Sequence, residues 1–334
     1  MNDTTDGIIL TLAYPETVVM VADEWYSPFL KYFGIGKKNY VRAGHAALVL
    51  IDKNTGHLEY HDFGRYITPE PYARVRGQLT DAELQFPLTA SIKNGKIENL
   101  EELLTFLATH PKLTHGDGKL LASVCRKVDY NKAREHIAKM QQREFIRYAA
   151  FIKEACNCAR FVTDTLIESV TDSSIVRKLK KSKRFTPSTI GNVLIADTEN
   201  CIYEVTEEGE IGEFKSTLSK ENRRLFLDRL KDHEPSYVGT LHPRHNDTRN
   251  NHAQWLSGIA AGAWFELYDL EQDQLYRFRR ISPFGHIDID AVYRISDTGF
   301  DMSLDHEFVQ YSNCLYFHVK QNGQTYRFNY VSKF

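Results

Sequence analysis

The chain has 334 residues, of which 42% are hydrophobic and 26% charged, values typical of a globular protein with one large or two smaller domains. The formal net charge of −2 gives no sign of a nucleic-acid-binding surface, and no apolar run reaches the length of a membrane-spanning helix. The polar, acidic segment Met1–Asp6 lacks the basic and apolar parts of a secretory signal, so we expect a cytoplasmic protein.

Five cysteines are scattered along the chain: Cys125, Cys156, Cys158, Cys201 and Cys314. Their odd number and irregular spacing argue against a disulfide framework. The Cys156-Asn157-Cys158 segment lacks the two-residue gap of a zinc knuckle or redox pair. We therefore expect neither a metal nor a cofactor.

The first half of the chain predicts an antiparallel sheet followed by helices. Alternating and apolar runs, turn residues and helix caps define these elements. In chain order they are a strand region over 7–22, an apolar strand over 45–51, a return strand over 57–66, a hairpin from 84 onward around Asn94-Gly95, a helix capped by Asn99 and closed by Pro111, a strand over 120–125, and helices over 131–153 and 158–170.

The second half predicts mostly strands. A loop and strand over 185–196 are expected to close the first domain, and hairpins are predicted around Glu208-Gly209 and Asn322-Gly323, with a helix capped by Ser219 between them. The fold class is α+β. We place one domain at residues 1–195 and a smaller α+β accessory domain at residues 196–334, whose role and oligomeric state the sequence leaves open.

Cys158 lies where an amphipathic helix is predicted to begin, ahead of apolar residues at helical spacing. A cysteine in a first helical turn faces unpaired backbone N–H groups and the positive end of the helix dipole, both of which favour its thiolate. Acyl transfer by a thiolate also needs a base. The best candidate is His45, which opens the apolar strand.

A third polar group must hold the second nitrogen of the imidazole. His61 and Asp62 on the return strand both qualify, and because side chains alternate along a strand, only one of them shares a face with His45. A shift of one residue in register exchanges the two, so both remain candidates.

The segment Asn157-Cys158-Ala159-Arg160-Phe161-Val162-Thr163 resembles the Asn-Cys-Glu-His-Phe-Val-Thr motif of the lecithin–retinol acyltransferase family. That family is a circularly permuted branch of the papain-like cysteine hydrolases and is related to bacterial cell-wall peptidases. The order of His45, then His61 or Asp62, then Cys158 is also similar. The resemblance covers about residues 40–195, and it departs from the motif at Ala159-Arg160.

The resemblance implies a permuted papain-like domain in which Cys158 is the nucleophile and His45 the base. The expected function is thiol-dependent hydrolysis of an amide or peptide bond through a thioester, on a peptide or other amide-containing substrate. The alternatives are a catalytically silent binding module with the same fold, and a lipid or other acyltransferase. No nucleic-acid partner and no integral membrane segment are expected, and the whole chain fits a bacterial family.

Three further segments have two interpretations each. The aromatic residues Trp25, Tyr26, Phe29 and Tyr32 are predicted to pack in the core, with an entrance to the site as the alternative. The basic run over 177–184, six Lys or Arg in eight positions, is predicted to be a solvated helix end, with an acidic partner as the alternative. A cluster with metal-binding side chains is interpreted as an exposed loop; it comprises His242, His245, Asp247 and His252.

Overall fold

The computed structural model describes residues 5–37, 39–231, 243, 247–259, 261–272, 274–310 and 312–334. The chain forms two compact units, of which unit 1 comprises Met1–Gly64 and Gln85–Glu234, and unit 2 comprises Arg65–Leu84 and Pro235–Phe334. Both helices and antiparallel sheets are present, with a second sheet domain in the C-terminal part, so the α+β prediction is confirmed.

Nineteen strands occur in the described part of the chain. They are β1 (Gly7–Tyr14), β2 (Val18–Met20), β3 (Tyr40–Arg42), β4 (His45–Asp52), β5 (Leu58–Gly64), β6 (Tyr72–Arg76), β7 (Ile92–Lys93), β8 (Lys96–Ile97), β9 (Leu120–Val128), β10 (Ile146–Arg147), β11 (Tyr203–Val205), β12 (Ile211–Glu213), β13 (Gln254–Gly258), β14 (Ala261–Gln272), β15 (Leu275–Ile281), β16 (Ile287–Ile295), β17 (Glu307–Val309), β18 (Tyr316–Gln321) and β19 (Gln324–Lys333).

Within the described ranges the helices lie before residue 227. They are α1 (Leu100–Thr109), α2 (Pro111–Thr114), α3 (Tyr130–Gln142), α4 (Cys158–Ser169), α5 (Ser173–Ser182), α6 (Thr189–Ala196) and α7 (Leu218–Phe226), together with the 3₁₀ helices Ser27–Phe33 and Ala82–Leu84. No helix in the described ranges is long and apolar enough to cross a membrane.

The main sheet of unit 1 has the order β5-β4-β1-β9-β11-β12, with antiparallel neighbours. Every residue of β1 is buried, as expected for a strand covered on both faces. Helix α4 packs against β4 and β5, and α6 packs against β1 and β9. The covered sheet therefore holds the N-terminus of α4 next to the start of β4.

Two predicted elements of unit 1 are wrong. The helix predicted over 131–153 ends at Gln142, and Glu144 adopts a left-handed conformation with φ of 55° that stops the helix. The strand predicted within 185–196 is helix α6, whose N-terminus is capped by the hydroxyl of Ser188. The β-branched residues of that segment favour a strand locally, but packing of Ile190 and Val193 against the sheet selects a helix.

The domain boundary predicted at residue 195 lies inside unit 1. Strand β11 follows it and pairs with β9, with Tyr203 opposite Ala122. Residues 65–84, which lie between β5 and the rest of unit 1 in the sequence, belong to unit 2. The two units are therefore not two consecutive halves of the chain.

Unit 2 contains a seven-stranded antiparallel sheet of order β13-β14-β15-β16-β19-β18-β17. Its buried face is aromatic: the Phe278 and Phe317 rings lie 4.2 Å apart, and the Phe317 and Phe328 rings 4.6 Å apart. Stacked and edge-to-face rings of this kind contribute packing energy beyond their buried area. The exposed alternate positions of β19 match a sheet that buries one face.

Candidate active site

Helix α4 begins at Cys158 and is held by the side chain of the preceding residue. The Oδ1 atom of Asn157 accepts a hydrogen bond of 2.9 Å from the backbone N–H of Arg160. This is the N-cap arrangement, and it places Cys158 in the first helical turn, where backbone N–H groups have no acceptor within the helix. Cys158 is buried but keeps 7% of its surface exposed.

The register of β4 and β5 selects between the two candidate partners of His45. Asp62 lies opposite Ala47, and His61 lies opposite Leu48. Because His45 is two residues before Ala47, it shares a face with Asp62 and not with His61. The His45 Nε2 and Asp62 Oδ2 atoms are 3.1 Å apart, and both side chains are buried.

His61 lies on the opposite face of the sheet and belongs to a different cluster. Its Nε2 atom is 3.8 Å from Oε2 of Glu59, and that carboxylate also contacts Tyr130 and Arg134 on α3. These partners outweigh the effect of burial and lower the pKa of Glu59 to about 2. His61 therefore helps to join α3 to the sheet and does not approach His45.

Cys158 and Asp62 are both hydrogen-bond partners of the His45 ring. Burial disfavours the charged imidazolium, but the interactions with Asp62 and Cys158 outweigh it and raise the pKa of His45 to about 9. Asp62 and Cys158 thus both favour a positive charge on the His45 imidazole.

Two tyrosines that the sequence analysis did not select surround this group. The Tyr60 hydroxyl lies 3.1 Å from Asp62 Oδ2, the oxygen that also faces His45, and 3.1 Å from the carbonyl oxygen of Thr114. The Tyr14 ring lies opposite His45 on β1 and stacks beside it at 6.3 Å between ring centroids. The alternation of side chains along a strand places Tyr60 on the same face as Asp62, and this could be predicted from the sequence. The hydrogen bond from Tyr60 to the carbonyl oxygen of Thr114 could not.

Arg160, at the position where the motif departs from the acyltransferases, supports the loop before α4. Its guanidinium donates to the carbonyl oxygens of Ile152 and Ala155 at 2.8 and 2.6 Å, and to that of Ala150 at 2.7 Å. The carboxylate of Glu24 accepts hydrogen bonds from the backbone N–H groups of the same loop at Ala150 and Phe151. Arg160 thus binds the carbonyl oxygens of this loop, and Glu24 binds its N–H groups.

Three of the other cysteines, Cys125, Cys156 and Cys314, are deeply buried. All five are free. Burial raises the pKa of Cys125 to about 11 and those of Cys156 and Cys314 to about 12. These three thiols lie in environments that oppose thiolate formation.

The candidate metal cluster cannot be assembled from the residues that the structure places. His242 and His245 lie outside the described residues. Within the ranges given above, no group of three or more His, Cys, Asp or Glu side chains is suited to hold a metal ion.

Comparison with known proteins gives a family for the chain. The family model described as type VI secretion system effector TseH-like matches residues 9–175, which is half of the sequence. The chain belongs to the TseH-like family of type VI secretion system effectors. The matched segment contains His45, Asp62 and Cys158. A second model, the DUF6695 C-terminal domain, matches residues 253–331 in unit 2.

One solved structure is similar, the crystal structure of the type VI secretion system effector TseH. It is 17% identical with a TM-score of 0.43, and the alignment covers 63% of this chain and 99% of that chain. No curated protein matches the chain. The family is that of a secreted effector, and the cytoplasmic location expected from the N-terminus stays a prediction.

Proposed function

We propose that this effector-family protein is a thiol hydrolase of amide or peptide bonds. Cys158 is the nucleophile, His45 the general base and acid, and Asp62 the group that orients His45. The observation that carries the proposal is the contact of His45 with Asp62 at 3.1 Å on one ring nitrogen and with Cys158 as a second partner. These are the three roles that cysteine acyl transfer requires.

In the proposed reaction the Cys158 thiolate attacks the carbonyl carbon of the substrate. The negative charge that develops on the carbonyl oxygen is stabilised by the backbone N–H of Cys158 at the N-terminus of α4. The imidazolium of His45 gives its proton to the leaving amine as the C–N bond breaks. Water then attacks the thioester, His45 accepts a proton from it, and the C–S bond breaks to release the acid product and restore the Cys158 thiolate beside the imidazolium.

The resemblance to the permuted papain-like hydrolases supports the same assignment on independent grounds, because it rests on the order of residues in the sequence. Acyl transfer to a lipid has no observation in its favour at this site. A silent binding module would keep the fold but would not need a raised His45 pKa, so the two readings differ in a measurable property.

The test is selective alkylation of Cys158 followed by hydrolysis assays. In the Cys201→Ser background, we expect iodoacetamide to label Cys158 at about pH 6, well below the ordinary thiol pKa of about 8.5. Labelling located by mass spectrometry should vanish in Cys158→Ala and persist in Cys156→Ala, which removes a neighbouring buried thiol. A panel of peptides and amides should lose turnover in the first variant only.

Labelling that begins only above about pH 8 would contradict the proposed ion pair between the Cys158 thiolate and the His45 imidazolium, and it would favour a binding module. Labelling at low pH without turnover of any amide would support a reactive Cys158 thiol but contradict amide or peptide bonds as the substrate class.

A further inference from the structure

Large aromatic side chains protrude from unit 1 before β3. Trp25 is 77% exposed, Phe29 53% and Tyr32 75%, so the prediction that these residues pack in the core is wrong. Phe185, which follows α5, is 73% exposed. Exposed rings in this number mark a surface that contacts a partner.

The rings form one connected surface. Trp25 packs edge-on against Tyr26 at 6.0 Å between centroids, Tyr26 against Phe151 at 5.0 Å, and Phe151 against Phe185 at 4.9 Å. Phe29 and Tyr32 lie three residues apart in the adjoining 3₁₀ helix Ser27–Phe33, and side chains at that spacing lie above one another on one face. We call this surface the aromatic patch; it comprises Trp25, Tyr26, Phe29, Tyr32, Phe151 and Phe185.

A cationic helix adjoins the aromatic patch. Helix α5 buries Ile175 and Leu179, one turn apart, and exposes the basic residues between and after them. The exposed cations are Arg177, Lys178, Lys180, Lys181, Lys183 and Arg184. Lys183 forms an ion pair with Asp164 at 2.5 Å. Phe185 follows this run directly, so cations and rings lie side by side.

We propose that the aromatic patch and α5 together bind the surface of an anionic phospholipid bilayer. The rings of Trp, Tyr and Phe insert at the boundary between lipid headgroups and acyl chains. Basic side chains beside them are attracted to anionic lipid. Trp25, Tyr32 and Phe185 each have about three quarters of their surface exposed, which suits insertion into a deformable interface. Charge complementarity selects an anionic lipid over a neutral one.

Binding at this surface is independent of the proposed hydrolysis. The contacts join neighbouring parts of unit 1 and do not use Cys158, His45 or Asp62. The bilayer would hold the protein at an interface and leave the chemistry to the buried site. Failure of either proposal therefore leaves the other standing.

The test is sedimentation of the full chain with vesicles. The probes are vesicles of phosphatidylcholine alone and of phosphatidylcholine with roughly one third phosphatidylglycerol. We expect binding to the second kind only, and its loss on raising the salt to about 0.5 M. Because each cation near an anionic surface contributes about a fivefold factor, Lys178→Gln/Lys181→Gln should lower the partition coefficient roughly 25-fold.

Matched variants distinguish binding through this surface from nonspecific adsorption to vesicles. Phe29→Ser/Phe185→Ser should weaken vesicle binding about 100-fold, because each large ring withdrawn from the interface contributes roughly a tenfold factor. Phe284→Ser/Phe334→Ser removes exposed rings of unit 2, and Lys215→Gln/Lys220→Gln removes exposed cations outside α5; both should bind as the unaltered chain does.

Equal binding to both kinds of vesicle, or equal loss in the control variants, would overturn the proposal. So would binding of polyglutamate but not of phosphatidylglycerol vesicles, since that result identifies an acidic polypeptide as the partner. Hydrolysis is not needed for any of these measurements, and the Cys158→Ala protein should give the same partition coefficients.

Discussion

Asp62→Asn should lower the pKa of His45 sharply. In the unaltered site the Asp62 carboxylate lies 3.1 Å from the ring, and the pKa is raised from the ordinary 6.5 to about 9 although burial acts in the opposite direction. The amide keeps the size of the side chain and removes its charge, while the cost of burial remains. We therefore expect the pKa of His45 to fall well below about 9.

The structure sets the size of this effect. The difference between 6.5 and about 9 corresponds to about 3 kcal/mol of preference for the imidazolium. In the proposed mechanism the imidazolium is the counter-ion of the Cys158 thiolate, so its loss should slow alkylation by iodoacetamide near neutral pH on the order of 100-fold. The change is in the charge of the site and not in its packing.

The assay is titration of the His45 ring by NMR together with alkylation rates across pH. The chain has 13 histidines, so the His45 signal is assigned by its loss in His45→Gln. His61→Gln is the matched control, because His61 is the neighbouring residue but lies on the other face, beside Glu59. The His61→Gln variant should leave the pKa of His45 unchanged.

An unchanged His45 titration in Asp62→Asn would refute the reasoning, since it would mean that the carboxylate does not stabilise the imidazolium. A shift of similar size in His61→Gln would refute the assignment of faces from the strand register. A lower pKa without slower alkylation would show that Cys158 ionises independently of His45.

Three further outcomes are expected. Because the folded-state pKa of His45 lies above its unfolded value, its contribution to stability should be complete below about pH 6.5 and lost as the pH rises through about 9, which unfolding by urea measures against His45→Gln. Asn157→Ala should lower the free energy of unfolding by about 1 kcal/mol through loss of the helix cap, whereas Asn157→Ser, which keeps an acceptor, should lose less. Arg280→Met should cost unit 2 about 3 kcal/mol because it removes the guanidinium that contacts Glu83 and Asp288 and one of the two that contact Asp81, at 3.1–3.3 Å; Arg74 remains on Asp81. Arg277→Met on the same strand breaks a partly exposed pair and should cost about 1 kcal/mol or less; equal losses in the two arginine variants would contradict the burial argument.

Several elements could be predicted because their signals lie within a few residues. The Asn322-Gly323 turn joins β18 and β19, and the strand over 45–51 is β4 with one more residue. The start of α4 at Cys158 follows from the cap residue before it and the apolar spacing after it. Turn chemistry, capping and periodicity act locally, so no distant partner was needed to predict them.

The sequence by itself determined the chemical groups of the site, namely a cysteine at a helix start, a histidine at a strand start and two polar candidates on the next strand. Only the tertiary structure decided that Asp62 and not His61 faces His45, because a one-residue change of register exchanges the two faces. It also decided that Trp25 and Tyr32 are exposed and that residues 65–84 belong to unit 2. Exposure and pairing depend on partners far away in the chain, and no local pattern contains them.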